Sequence, residues 1–388
     1  MKTVHLGVDL EPKTGGTYRS VLNFQSSLSR LGVEVDICSF SPGPSPVATP
    51  GVAQVPTSRK FPGKPYYFWS GCYSGRLRGI LTGADIVFLH GLYIHPFVHA
   101  ALWSRRNQVP YVVVPHGSLD PWVFSYRRYR KQAWLRLYRR LMLEDASSVV
   151  FASARERDKA AGLPAIARPD VINWPVASVA DFDKTSAGQR VRLDCGLPNR
   201  CRVALFCGRL HPMKRPIETI ELFLRTAPRD WVLLLVGPAS AEIPETKMAS
   251  ICGASGGRCR YLGPVFGDRL SDFYKAADLL VLISHRENFS YTVTEALACG
   301  VPVLVSNGVD LSADIAREGC GFVVDNPADG QTLEKAFDSS LRCDSASLAS
   351  MGARGRRWVR RDLSEERFST RLEALCDSIV RRAGSVRS

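Results

Sequence analysis

The sequence predicts an α/β protein of two domains, each built on a parallel sheet. Three observations carry this expectation. A chain of 388 residues has the length of about two domains. Apolar, strand-like runs alternate with helical patterns through both halves, the order that a parallel sheet requires. The stretch from Leu279 to Val303 reads as strand, polar loop, short helix, a stop at Gly300 and the opening of the next strand at Val301-Pro302-Val303.

In the first half, Val4 to Leu10 is a buried strand and Glu11-Pro12-Lys13-Thr14-Gly15-Gly16-Thr17 a loop. A helix follows with Val21, Leu22, Phe24, Leu28 and Leu31 on one side, ending at Gly32. Val33, Val35 and Ile37 alternate as the next strand. Seven prolines from Pro42 to Pro65 predict an irregular excursion. Asp85 to Leu89, Tyr111 to Val114 and Ser148 to Ala152 are further strands, and Val171-Ile172-Asn173-Trp174-Pro175 closes the first half. The second half begins at about Asp181, with strands at Val203–Cys207, Trp231–Val236, Leu279–Ile283, Val301–Val305 and Gly321–Val324. A last helix runs from about Ser364 to Arg381. No internal repeat or low-complexity tract interrupts this order.

Composition narrows the class. A hydrophobic content of 45% is that of a globular protein with ample core. Eleven cysteines, an odd number without a Cys-x-x-Cys pair, fit a reducing compartment better than a disulfide framework or a zinc site. The apolar run after Met1-Lys2 is short and soon meets Asp9 and Glu11, unlike a signal peptide. No run approaches the length of a membrane span. A cytoplasmic protein is expected. The net charge of +14 is partly local, with seven basic and no acidic residues from Arg127 to Arg140, interleaved with Tyr129, Trp134, Leu135, Leu137 and Tyr138. Such a helix can lie on an anionic membrane surface, grip nucleic acid, or simply present a solvated face above the core.

Glu287 and Glu295 give the chemistry its first outline. The first lies at a strand's carboxyl end and the second about one turn into a helix whose N-terminus opens on the same crevice, where open α/β sheets bind ligands. A helix N-terminus attracts phosphate. Two carboxylates beside a phosphate seat suit hydroxyl groups, those of a ribose and of a sugar, and so suggest a sugar nucleotide. Arg209 and Lys214, in the run Cys207-Gly208-Arg209-Leu210-His211-Pro212-Met213-Lys214 after another strand, offer a planar fork and a point charge for phosphate oxygens. As surface ion pairs they would contribute little. Gly15-Gly16 stands between the first strand and the first helix, where glycine lets backbone approach a ligand. It is not a Gly-x-Gly-x-x-Gly fingerprint, which argues against a nicotinamide cofactor. His116, in Val114-Pro115-His116-Gly117-Ser118-Leu119-Asp120-Pro121-Trp122, ends another strand, and His90-Gly91 ends the one before it. His90, His95 and His99 do not have zinc spacing, and Asp-x-Asp occurs only at Asp181-Phe182-Asp183 between the halves, so no metal is expected.

Glu287-x7-Glu295 followed by Ala296-Leu297-Ala298-Cys299-Gly300-Val301-Pro302-Val303 resembles the signature of the retaining glycosyltransferases of family 4, which have the GT-B fold: two facing Rossmann-like domains with parallel sheets and a cleft between them. Gly208-Arg209-Leu210 with Lys214 is similar to that family's Gly-Arg-Leu-x3-Lys motif. The resemblance implies an N-terminal acceptor-side domain over 1–176, a donor-binding domain over 177–363 and a C-terminal helix over 364–388 that crosses back to the first domain. It implies transfer of a sugar from a nucleoside diphosphate to an acceptor hydroxyl with retention, by front-face displacement, without metal or other cofactor, in a cleft closed against water. By position it assigns Arg209 and Lys214 to the pyrophosphate, Glu295 to the ribose, and Glu287 to the donor sugar and reacting centre. It assigns Phe289 and Ser290 to a backbone approach to the donor, Gly15 and Gly16 to the donor phosphates and acceptor, and His116 to a sugar hydroxyl. Pro-His-Gly-x-Leu-Asp-Pro-Trp is similar to transferases that build bacterial exopolysaccharide or lipopolysaccharide, which implies a lipid-linked glycan acceptor at the inner face of the cell membrane. The chain departs from the family at Ser290, where glycine is usual. If that position needs positive φ, serine strains the loop. A sugar-nucleotide epimerase of the same fold, a soluble transferase with a small acceptor, and a non-catalytic nucleic-acid-binding protein using the +14 charge are the alternatives.

Overall fold

The computed structural model describes residues 1–11, 15–41, 51–56, 74–125, 128–162, 166–176, 184–198, 201–325 and 329–387. It divides into two compact units, Met1–Pro175 with Glu365–Ser388, and Val176–Ser364.

The first unit holds seven parallel strands, β1 (Lys2–Val8), β2 (Glu34–Ser41), β3 (Val52–Pro56), β4 (Ile86–His90), β5 (Tyr111–Val114), β6 (Ser148–Phe151) and β7 (Pro169–Val171), in the order β3-β2-β1-β4-β5-β6-β7. The second holds six, β8 (Arg202–Cys207), β9 (Trp231–Val236), β10 (Cys259–Tyr261), β11 (Leu279–Leu282), β12 (Val303–Ser306) and β13 (Gly321–Val324), in the order β10-β9-β8-β11-β12-β13. Helices flank both sheets, and the central strands are covered on both faces. The run Trp231-Val232-Leu233-Leu234-Leu235-Val236 is accordingly buried at every position, as parallel sheets require. Strand order reverses between β1 and β4 in one unit and between β8 and β11 in the other, the switch points where loops diverge and open a crevice.

The structure departs from the sequence reading in several places, beginning with the first strand, which runs Lys2–Val8 rather than Val4 to Leu10. Part of the proline-rich excursion is strand: β3 pairs with β2 from Ile37↔Val52 to Ser41↔Pro56. It is an edge strand ending in Pro56, where a missing N–H costs least. Residues 42–50 and 57–65 of that excursion lie outside the described residues, as does Asp181. The edge strands β7 and β10 are only three residues long, too short for periodicity to register. Leu31 is not on the buried face: the first helix, Gly16–Arg30, stops one residue earlier, and Leu31 is 39% exposed. The fifth strand of the second unit starts at Val303, after Pro302, rather than at Val301.

The last helix, Glu365–Arg387, packs on the first helix. Arg30 pairs with Glu365 at 2.7 Å, Arg371 with Asp170 at 3.0 Å, and Phe368 meets Phe24 edge-on at 5.2 Å.

Candidate functional site

In the second unit, the predicted residues collect at the β8–β11 switch point. The loop after β8 turns at Gly208, whose φ of 142° favours glycine, and a Cβ there would lie 3.1 Å from the Lys214 stem. Lys214 ends a short turn, Pro212–Lys214, capped by His211, whose Nδ1 accepts the Met213 N–H at 3.1 Å. From there its Nζ forms an ion pair with Glu287 Oε1, and both side chains are largely shielded from solvent. Ser284 Oγ donates to the same oxygen at 3.2 Å. The Glu287 backbone is held on both sides: its N–H donates to Gly308 O at 2.9 Å and its carbonyl accepts from Asp310 N at 3.0 Å. Gly308 permits this approach, because a Cβ would fall on the Ser284 and His285 carbonyls.

Glu295 has a different partner. It sits mid-way along the helix Tyr291–Ala298, and Tyr274 Oη donates to its Oε2 at 2.8 Å. Burial first, and then Cys207 and Glu295, hold the Tyr274 phenol well above its ordinary range, so it remains a donor. Cys207 Sγ lies 3.4 Å from the same hydroxyl, and burial pushes its thiol up to about 11. Arg209 is exposed. Phe289 is buried and meets Tyr291 edge-on at 5.3 Å, so only its backbone is available to a ligand. Ser290 caps the helix with φ 52° and ψ 77°, and its buried hydroxyl has no partner among the described residues. The structure thus joins Lys214 to Glu287 and Tyr274 to Glu295. Sequence reasoning missed Tyr274 and Ser284. Neither carries a signal of its own, since a tyrosine beside Phe273 reads as core and Ser284 as the start of a loop.

In the first unit, Gly15 caps the first helix at φ 72°, with nothing within 4 Å of an added Cβ; backbone conformation, not space, calls for glycine there. Gly16 opens the helix and is exposed. His116 follows β5 at φ 50°. The adjoining Gly117 N–H donates to the buried Glu156 Oε1 at 2.5 Å, and Glu156 Oε2 accepts from Ala152 N at 2.8 Å. One carboxylate therefore ties the His116 turn to the end of β6, a link that no local pattern around Glu156 signals. His116 Nε2 lies 3.1 Å from His90 Nδ1, and His90 Nε2 lies 3.0 Å from His5 Nδ1. Burial lowers His5 to about 3 and His116 to about 4. His90 falls well below its ordinary value through burial and then its two histidine neighbours. All three are neutral imidazoles at pH 7.

The basic segment is a helix over Arg128–Arg139 running into a π-helical turn, Arg140–Glu144. Tyr126 and Arg127 lie outside the described residues. Leu135 is buried with Trp134 and Tyr138 packed beside it, while Tyr129 and Leu137, two turns apart on one face, are 83% and 73% exposed. No described helix is long and apolar enough to cross a membrane. Among the described residues no three His, Cys, Asp or Glu side chains group as metal ligands.

Two family models match the chain in tandem, Glycosyltransferase Family 4 over residues 14–176 and Glycosyl transferases group 1 over residues 193–358. The two halves therefore belong to the group 1, family 4 glycosyltransferases. A D-inositol 3-phosphate glycosyltransferase of Rhodococcus opacus (strain B4) is 33% identical over 161 residues, 39% of this chain and 36% of that protein. The chain spans about a third of the length of such curated relatives. HepE of Anabaena, solved in complex with UDP, superposes with a TM-score of 0.77 at 18% identity, covering 97% of this chain and 100% of that one. WaaG, a glycosyltransferase involved in lipopolysaccharide biosynthesis, gives 0.71 at 15% identity, covering 98% and 99%. At these identities the likeness is one of fold, and that fold is GT-B.

Proposed function

We propose that the protein is a retaining, metal-independent glycosyltransferase that moves a sugar from a nucleoside-diphosphate donor to an acceptor hydroxyl. The observation that carries this reading is the shielded Lys214–Glu287 pair at the β8–β11 switch point, close in sequence to the N-terminus of the helix Tyr291–Ala298, whose dipole favours an anion. Lysine has three donors, so Lys214 can keep Glu287 and still reach a diphosphate oxygen. Arg209, exposed nearby in sequence, supplies a second cation. Together they compensate charge on the leaving group. Glu287, fixed through its backbone, faces positive charge developing at the sugar. Glu295, oriented by Tyr274, accepts from ribose hydroxyls. The backbone at Phe289-Ser290 approaches the donor, and Gly15, Gly16 and His116 contribute from the first unit as the family pattern assigns them. The leaving phosphate takes the acceptor's proton.

The test is thermal-shift binding of UDP, GDP, ADP and dTDP in the presence of EDTA, on the wild type and on Glu295→Ala. UDP comes first because HepE binds it. A ligand at 100 times its dissociation constant adds about 2.7 kcal/mol of stability. Stabilisation of the wild type by one nucleotide, weakened in the variant, supports the reading. No stabilisation by any of them overturns it.

The acceptor we place in surface-polysaccharide assembly, carried on a lipid at the inner membrane face. Support comes from exposed Tyr129 and Leu137 amid the arginines of Arg128–Arg139, an apolar and cationic surface suited to anionic headgroups. Flotation with anionic liposomes at low salt should carry the protein, and Tyr129→Glu with Leu137→Glu should abolish it. A wild type that stays at the bottom rules the membrane surface out.

A further inference from the structure

His5, His90 and His116 come from three neighbouring strands. His5 lies on β1, His90 at the end of β4, and His116 two residues beyond β5. The register sets His5 opposite Phe88 and His90 opposite Val114, so each histidine stands two residues further along than its predecessor. Such diagonal positions on one face bring long side chains into contact. The result is a file of imidazoles with ring centroids 5.3 and 5.4 Å apart, tilted by only 24° at each step. His5 stacks on Phe88 at 4.5 Å, and Phe24 closes on His90 edge-on at 5.2 Å. Trp174 stands 5.8 Å from His116.

The two links use opposite ring nitrogens on the middle member: His90 receives His5 at Nε2 and meets His116 at Nδ1. A neutral imidazole has one donor and one acceptor. Two proton arrangements therefore satisfy both links, with all three rings Nδ1–H or all three Nε2–H. The far end decides between them. His5 Nε2 is buried and has no partner among the described residues. In the Nε2–H arrangement it would be an orphaned buried donor, which folded proteins avoid. In the Nδ1–H arrangement the orphan is a lone pair, and every N–H in the file has a partner up to His116 Nδ1, the last nitrogen, on a ring that is only partly buried.

We infer that His5 and His90 are positioning residues that lock His116 as the neutral Nδ1–H tautomer, so that it meets its ligand as a hydrogen-bond donor and not as a base. This rests on the proposed function for the identity of the ligand, a sugar hydroxyl or phosphate oxygen, but not for the proton order. His116 at φ 50° sits where asparagine is also tolerated. Asparagine's amide nitrogen occupies nearly the place of imidazole Nδ1, whereas glutamine's corresponds to Nε2.

The first measurement is long-range 1H–15N correlation NMR on the 15N-histidine-labelled full chain without ligand, at pH 7. Couplings across the two N–H···N links assign the three rings with no substitution. The expected result is all three as Nδ1–H. Finding His116 as Nε2–H or doubly protonated, or the links absent, overturns the inference. In His90→Phe, His116 should leave the pure Nδ1–H form; an unchanged His116 spectrum would show that the file does not set it. Because these spectra need no donor, they stand or fall separately from nucleotide binding. In turnover assays His116→Asn should retain at least tenfold more kcat/KM than His116→Gln, and the reverse order overturns the donor role.

Discussion

Ser290 holds a left-handed backbone conformation that costs a residue with a Cβ about 1–2 kcal/mol, and its hydroxyl is buried without a described partner, a further cost of about 1–3 kcal/mol. Glycine would remove both while returning up to about 1 kcal/mol of unfolded-state entropy. Ser290→Gly should therefore stabilise the protein by about 1 kcal/mol, read as a rise of about 2–4 °C in the transition of the second unit. A fall in Tm would show that the hydroxyl is satisfied. The position is legible in the sequence because a residue that replaces glycine in a loop raises the question of φ by itself. Tyr274 is not legible at this scale. Its role as the partner of Glu295, 21 residues further along, depends on the next helix folding back, and nothing local to Tyr274 reports that.

At the scale of elements, the strand–loop–helix that carries Glu287 and Glu295 is readable because each boundary has a local cause: a four-residue apolar run, a polar loop, and Gly300 at φ 72° just past the helix. The partner of Glu287 is not readable, since Lys214 lies 73 residues earlier and reaches it only through the β8–β11 pairing. The edge strands β3, β7 and β10 escape for the related reason that pairing, not composition, makes them strands. The shielded pair makes a sharp prediction. Lys214→Met leaves the Glu287 carboxylate uncompensated and should cost about 3–5 kcal/mol, seen as a lowered urea midpoint. The double substitution Lys214→Met, Glu287→Gln should recover most of that loss while nucleotide stabilisation stays lost. Equal destabilisation in single and double variants would mean the pair contributes through packing alone.

Across the whole molecule, the buried histidine file links stability to pH. Below about 6.5 the unfolded chain binds protons that folded His5, at about 3, and His116, at about 4, refuse. The unfolded state then carries more protons, so stability falls as pH drops, by about 1.4 kcal/mol per pH unit for each withheld proton. Denaturation midpoints at pH 7, 6 and 5 should decline, and His5→Phe should flatten that decline by about one proton's worth. The same slope in the variant would mean His5 titrates normally. The overall α/β, two-domain architecture is the most legible property of the chain, because alternation of strand and helix repeats often enough to survive errors in single elements. The histidine file is the least legible, because it depends on the stagger among β1, β4 and β5 rather than on any run of residues.

The last helix has a consequence for synthesis. Phe368 lies against Phe24 and Trp174, the rings that flank the histidine file, so the first unit draws its core from both ends of the chain. The intervening unit, Val176–Ser364, is contiguous and can close as soon as it has left the ribosome. The first unit must wait with an unfinished aromatic face until residues 365–387 emerge. Ending the chain at Ser364 should leave the second unit's own cooperative transition intact while the first unit binds a hydrophobic dye and loses its transition. An N-terminal half that begins synthesis first is thus the half that finishes folding last.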